Sequence, residues 1–262
     1  MRRYAHKQKK LGQCFLVDGS VVARIVSESG VVPHSRVLEV GPGRGILTEG
    51  LLNTGAHVTA VELDVELYDG LKQEMGARPN LVIIRGNAIY FDYGSVESPY
   101  RVVSNLPYSV SVPLIKKFIE NKKRITSMTL MTQKEVAERL TAGPGDPHYG
   151  SLSIYLEYHC ERRFMFQVPP DSFRPRPKVD SAVIRLVPRQ SPPVDVKDED
   201  AFFEFVGKAF VHRRKTLRNN LKNLWPDAEE FETACEKAGV APSIRPEDVS
   251  IERYAALYAC LG

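Results

Sequence analysis

No cysteine in this 262-residue chain has a partner at C-x-x-C spacing. The four present, Cys14, Cys160, Cys235 and Cys260, are scattered. That argues against a zinc site or disulfide framework and fits a reducing compartment, the cytoplasm. Cys160, Cys235 and Cys260 read as small core residues. No window approaches the roughly 18 unbroken apolar residues of a membrane span. The basic start, residues 1–10, leads into no apolar signal core, so neither a membrane nor a secreted destination is expected. No G-x-x-x-x-G-K-[ST] stretch occurs, which argues against a phosphate-cradling P-loop. Acid is missing in two places. Residues 1–10 hold five Lys or Arg and no acid, and residues 208–222 carry Lys208, Arg213, Arg214, Lys215, Arg218 and Lys222 without one. On a chain of net charge +4, two such clusters suggest a polyanionic partner, nucleic acid before membrane. A solvated tail and a solvated helix face are the plainer alternative.

What is present is an alternation. From about residue 36 to 131, β-rich apolar runs alternate with helical patterns, the mark of a parallel α/β sheet. The expected strands are Arg36–Val40, His57–Val61, Leu81–Ile84, Arg101–Ser104 and Ser127–Met131. The expected helices are Val21–Ser29 (capped by Asp18 or Ser20), Ile46–Asn53, Val65–Met75, Val112–Glu120, Gln133–Thr141 and Ser151–His159. Arg163–Val168 and Ala182–Val187 read as late strands of the same sheet. Residues 188–194, rich in Pro and Ser, read as a linker. Beyond it Phe202, Phe205, Val206, Ala209, Phe210, Leu217 and Leu221 recur at helical spacing. The expected domains are therefore residues 1–188, α/β with a basic arm, and 195–262, small and all-helical.

In "VLEVGPGRGILTEGL" Gly41, Gly43 and Gly45 follow a strand and precede a helix. Glycines there let the backbone turn tightly and approach a ligand. Glu62 ends the next strand, 21 positions after Gly41, where an acid takes both hydroxyls of a ribose. Glu39 favours a cationic methyl donor over a pyrophosphate-bearing dinucleotide, because a carboxylate attracts a sulfonium or ammonium and repels phosphate. The other reading of Glu39 is a strand-end acid capping a turn. Gly86-Asn87-Ala88 follows the third strand; Asn87 has the groups to read an adenine edge, or is a plain turn residue.

Asn105-Leu106-Pro107-Tyr108 ends the fourth strand, on the same edge as the glycines, and matches the [ND]-[PIL]-P-[YFW] motif of amino-group methyltransferases. An adenine N6 is a poor nucleophile because its lone pair is delocalised into the ring. The Asn105 side-chain oxygen and the Leu106 carbonyl have the acceptors to hold its two N–H groups. Pro107 would fix the turn and Tyr108 would stack on an extruded base. No strong general base is required, since a methylated aminium ion loses its proton readily; catalysis would come from positioning and matched dipoles. In "SFRPRPKVDSAV" Phe173 sits in a loop stiffened by Pro175 and Pro177, either a stacking wall opposite Tyr108 or a hydrophobic plug.

At this point the chain resembles KsgA-type ribosomal RNA adenine dimethyltransferases, with the Erm resistance methyltransferases as relatives. The resemblance covers residues 11–16, 39–48, 62–64, 105–108, 133–139, 149–150 and 173–181, then "FVHRRKTLRNNL" and "RPEDVSIERYAAL". It implies a Rossmann-like class I methyltransferase sheet with a small helical C-terminal domain, S-adenosylmethionine as donor without a metal, and a soluble monomer. It implies double methylation of two adjacent adenosines in a hairpin loop near the 3′ end of small-subunit rRNA, within a pre-ribosomal particle. By motif position Gln13, Cys14, Leu16, Glu39, Gly41, Gly43, Glu62, Asn87 and Asn105 would line the donor pocket. Asn105, Leu106, Pro107, Tyr108 and Phe173 would hold the target base. Arg213, Arg214, Lys215, Arg218 and Lys222 would meet RNA phosphate. "NLPY" resembles the KsgA branch more than the "NIPY" usual in Erm proteins. Two departures stand out: Asn87 where the family usually has Asp, and Ser151 where Arg is common. They leave room for a catalytically idle assembly factor of the same fold, and an Erm-like large-subunit target is the third reading.

Overall fold

The computed structural model describes residues 14–261. The basic arm and Gln13 therefore lie outside the described residues. Two compact units emerge: one up to Ala137 plus Arg163–Pro188, the other Glu138–Arg162 plus Arg189 onward.

The first unit is built on strands β2 (Arg36–Val40), β3 (His57–Glu62), β4 (Leu81–Arg85), β5 (Tyr100–Asn105), β6 (Ile125–Gln133), β7 (Cys160–Val168) and β9 (Ser181–Pro188). A short ribbon, β1 (Phe15–Leu16) with β8 (Phe173–Arg174), stands beside them. The sheet order is β4-β3-β2-β5-β6-β9-β7. β2 to β6 run parallel, and β9 is antiparallel to β6. Val37, Leu38, Val102, Val103, Met128 and Leu130 are all buried, as expected of central parallel strands whose hydrophobic runs are nearly unbroken. Helices α1 (Gly19–Ser29), α2 (Ile46–Leu52), α3 (Val65–Met75) and α4 (Ser111–Glu120) connect or flank them. Asp18 caps α1, accepting from Ser20 N at 2.9 Å, and Gly30 ends it in the left-handed region. Asp64 caps α3 in the same way. The chain reverses its direction of travel across the sheet between β2 and β5, and such a switch point opens a crevice at the carboxyl ends of the two strands.

The second unit holds α6 (Ser151–His159), α7 (Glu199–Ala209), α8 (Leu217–Leu221), α9 (Ala228–Ala238) and α10 (Ile251–Ala259); α5 (Lys134–Thr141) crosses the boundary between the units. Its core is aromatic: Phe202, Phe205, Phe231, Tyr254 and Trp225 pack with Tyr149, Ile154 and Tyr158. Each large side chain buried this way contributes about 1.5–3 kcal/mol. Two readings of the sequence change here. Residues 138–162, expected within the α/β domain, cluster with the C-terminal helices because Tyr149, Ile154 and Tyr158 bury their side chains in that core. The basic stretch is not one helix: α7 stops at Ala209, residues 210–216 form turns, and α8 begins at Leu217. Thr216 caps the new helix, accepting from Asn219 N.

Candidate active site

β2 ends at Val40 and the chain turns through Gly41, Gly43 and Gly45, all with positive φ (68, 60 and 81°). At two of these glycines a side chain would also press on its neighbours. A Cβ on Gly43 would lie 3.2 Å from the Phe15 ring, and one on Gly45 would lie 2.6 Å from Leu71 Cδ2. The turn thereby brings backbone amides to the acid of the next strand. Glu62 accepts from Gly43 N at 3.1 Å and from Asp64 N at 2.9 Å.

Glu39, one residue before the end of β2, is 1% exposed and accepts from Thr48 Oγ1 at 2.7 Å. Burial pushes its carboxyl up to about 8; the Thr48 bond opposes the rise and the nearby Glu62 adds to it. Burial also raises Glu62, against the amides that bond it. Both acids line one cavity of about 470 Å³, together with Cys14, Leu16, Gly41 and Gly43. Among the described residues Arg44 is the one basic side chain of that lining, and its guanidinium lies over the Phe15 ring at 4.7 Å.

The opposite wall comes from the end of β5. Asn105, Leu106, Pro107, Tyr108 and Ser109 line the same cavity. Asn105 Oδ1 is buried and has no hydrogen-bond partner among the described residues, whereas buried acceptors are ordinarily bonded. Leu106 is anchored through its N–H to Met131 O at 2.9 Å. Tyr108 follows in a single 3₁₀ turn, with Ser111 Oγ donating to its carbonyl at 3.2 Å. Burial is the main cause of a raised Tyr108 phenol. The cavity thus presents two buried carboxyls and an unfilled acceptor. It favours a ligand that brings positive charge and N–H or O–H donors. S-adenosylmethionine fits that donor set: Glu39 would suit its cationic end and Glu62 its ribose hydroxyls.

The family model described as ribosomal RNA adenine dimethylase matches residues 4–261. The chain belongs to that family. A relative from Pseudomonas fluorescens, "Ribosomal RNA small subunit methyltransferase A", is 44% identical over 97% of this chain and 94% of its own length. One of the same name from Alcanivorax borkumensis is 43% identical over 95% and 88%. Among solved structures, a dimethyladenosine transferase from Plasmodium falciparum is 26% identical with a TM-score of 0.76, covering 93% of this chain and 95% of that one. The 23S rRNA methyltransferase ErmE is 27% identical with a TM-score of 0.75, covering 94% and 99%. Like its family, the chain is an rRNA adenine dimethyltransferase on a Rossmann-like sheet.

Against this dimethylase frame, the expected site residues separate. Cys14, Leu16, Glu39, Gly41, Gly43, Glu62 and Asn105 to Tyr108 share the cavity. Asn87 does not line it; the residue is exposed and its Oδ1 accepts from Ile89 N at 3.0 Å, an Asx turn. Phe173 does not line the cavity. It is 0% exposed and belongs to a buried cluster with Leu16, Val168 and Val183, a placement in keeping with the plug reading. Arg213 donates to Pro147 O and Tyr149 O, and Arg218 donates to Trp225 O while lying over the Phe231 ring at 5.2 Å. Both thus have hydrogen-bond partners within the helical unit, although Arg213 is exposed, as are Arg214, Lys215 and Lys222. Sequence reasoning missed Gln133, which ends β6 and lines the cavity. The signal was available, since β6 runs parallel to β5 and ends on the same edge. Among the described residues no group of three or more His, Cys, Asp or Glu is placed to hold a metal ion, and no helix is long and apolar enough to cross a membrane.

Proposed function

We propose that this dimethylase transfers methyl groups from S-adenosylmethionine to the N6 atoms of two adjacent adenosines, twice each. The target is the hairpin loop near the 3′ end of small-subunit rRNA in a pre-ribosomal particle, and the enzyme works as a cytoplasmic monomer without a resident metal. The observation that carries the reading is Asn105 Oδ1: a buried acceptor, unpartnered among the described residues, in the same cavity as Glu39 and Glu62. Bound donor supplies a methyl group on a cationic sulfur. Glu62 would take the ribose hydroxyls with the acceptor capacity its two amide bonds leave free, and Glu39, drawn to its ionised form by the bound cation, would set a negative potential at the cationic end. Asn105 Oδ1 and the Leu106 carbonyl accept the two N6–H groups, which turns the nitrogen lone pair toward the methyl. Tyr108 stacks on the extruded base. The N6 proton leaves to water from the aminium ion, so the protein's contribution is alignment and fixed dipoles.

The small-subunit target is supported by identities of 43–44% to relatives named for that subunit, against 27% to the 23S enzyme. An idle assembly factor is disfavoured by the intact Asn105–Tyr108 wall. Labelled donor should be incubated with small-subunit particles and, separately, with large-subunit RNA, and dimethyladenosine mapped. Label in the small-subunit hairpin is expected. Label in large-subunit RNA would move the target, and no transfer to either would leave the idle-factor reading.

A further inference from the structure

The ring expected to hold the target base is restrained from both ends. At the backbone end Pro107 precedes it with φ −58°, and Ser111 Oγ donates to the Tyr108 carbonyl. At the far end Tyr108 Oη and Ser181 Oγ share one hydrogen bond across 73 residues of sequence. Ser181 is 0% exposed and is the first residue of β9, paired in register with Gln133, itself a cavity residue. A tyrosine ring that lines an open cavity loses torsional freedom when a base stacks on it, and a ring already fixed avoids that cost. Phe173 is fully buried and does not line the cavity, so the aim of Tyr108 rests on its own tethers.

We propose that Ser181 is a positioning residue of the methyl-transfer reaction, acting through the Tyr108 hydroxyl to present the ring to the flipped adenine. This rests on the function proposed above. It goes further by assigning work to a buried strand residue that touches neither donor nor base. The tether reaches Tyr108 from β9, and the donor-facing groups Glu39, Glu62 and Gly43 sit on other elements. The inference therefore separates RNA-dependent from donor-dependent behaviour.

The test is a double-mutant cycle of Ser181→Ala and Tyr108→Phe in the full chain, read by initial rates on small-subunit particles and by calorimetric donor titration. Each single variant should lower kcat/KM for the RNA about tenfold, the loss expected when one hydrogen bond is removed. The donor dissociation constant should stay within about twofold. The double variant should be no worse than either single one, because both remove the same bond. Ser181→Thr, which keeps the hydroxyl, should recover most of the rate. If Ser181 only filled space in the sheet, its penalty would add to that of Tyr108→Phe, and the inference would fall. Rates equal to wild type in both single variants would overturn it too. Should Ser181→Ala not fold, Tyr108→Phe alone decides, since the phenol oxygen is all it loses: an unchanged rate rejects the tether. A wild-type protein that labels no small-subunit RNA would instead refute the proposed function itself.

Discussion

At the carboxyl edge of the sheet, Asn105 Oδ1 is buried without a partner among the described residues, and Glu39 is buried with its acidity driven far from the ordinary range. In the helical unit Arg162, 9% exposed at its side chain, is surrounded instead. It donates to the carbonyls of Leu140, Ala142 and Ser153 and lies 3.0 Å from Glu157. Both regions bury charged or polar groups, at a cost that only partners can offset. Around Arg162 those partners come from the chain itself. At Asn105 the partner is left to be supplied by something that binds. Polar burial in one place builds structure and in the other reserves free energy for a ligand.

The sharpest way to break that contrast is Asn105→Ala. Methyl transfer should fall by about a thousandfold or more, on the scale of losing a transition-state oxyanion-type contact, while donor binding stays measurable by titration. Loss of donor binding alone would mean that the amide serves the donor and not N6. Next in size is Arg162→Met in the helical unit. Removing one partner of a buried ion pair should cost about 3–5 kcal/mol in urea unfolding, with donor affinity unchanged; a near-neutral result would erase the distinction between the two regions.

Glu39→Gln tests the reserve itself. Below its ordinary value of 4.5 the carboxyl is protonated in both folded and unfolded chains, and burial carries no charge penalty. As pH rises from 4.5 to about 8, the unfolded chain ionises while the folded one does not, so stability drains away. The ligand-free variant should match wild type near pH 5 and be more stable by a few kcal/mol near pH 8, on the order of 1.4 kcal/mol for each pH unit crossed in that window. Thermal melts across that range check it, and parallel curves would show that burial is not what governs Glu39. Donor affinity should fall in the same variant. The smallest effect separates engaged from available cations. Arg214→Ala with Lys215→Ala should flatten the salt dependence of RNA binding by about one unit of slope per lost phosphate contact. Arg213→Ala should instead lower stability by about 1 kcal/mol, the worth of lost hydrogen bonds.

Much of this was legible in the chain. Parallel strands buried on both faces write themselves as apolar runs, so Arg36–Val40 is found at its expected bounds, and so is the helix Val65–Met75, which starts directly after its capping Asp64. The cavity residues Gly41, Glu62 and Asn105 follow from one rule, that strand ends of a parallel sheet share an edge. What stayed hidden depends on partners distant in sequence. Nothing near Arg213 announces that it reaches carbonyls 64 and 66 residues away. The prolines around Phe173 signal stiffness but not direction, and the ring turns into the core. Asn87 satisfies itself two residues onward, a local competition that spacing does not reveal. The break at 210–216 was concealed because the apolar spacing continues through it in register.

The position of β9 has a consequence for synthesis. It lies between β6 and β7, although β7 comes earlier in the chain. As the polypeptide emerges, β6 keeps an open edge until residues 181–188 arrive to pair with it. Glycine turn, acids and Asn105 are all made by then, but the sheet has no closing neighbour and Tyr108 has no tether. A chain truncated before Ser181 would not be a smaller enzyme. It would be a sheet with an unpaired edge, inclined to associate with its own copies.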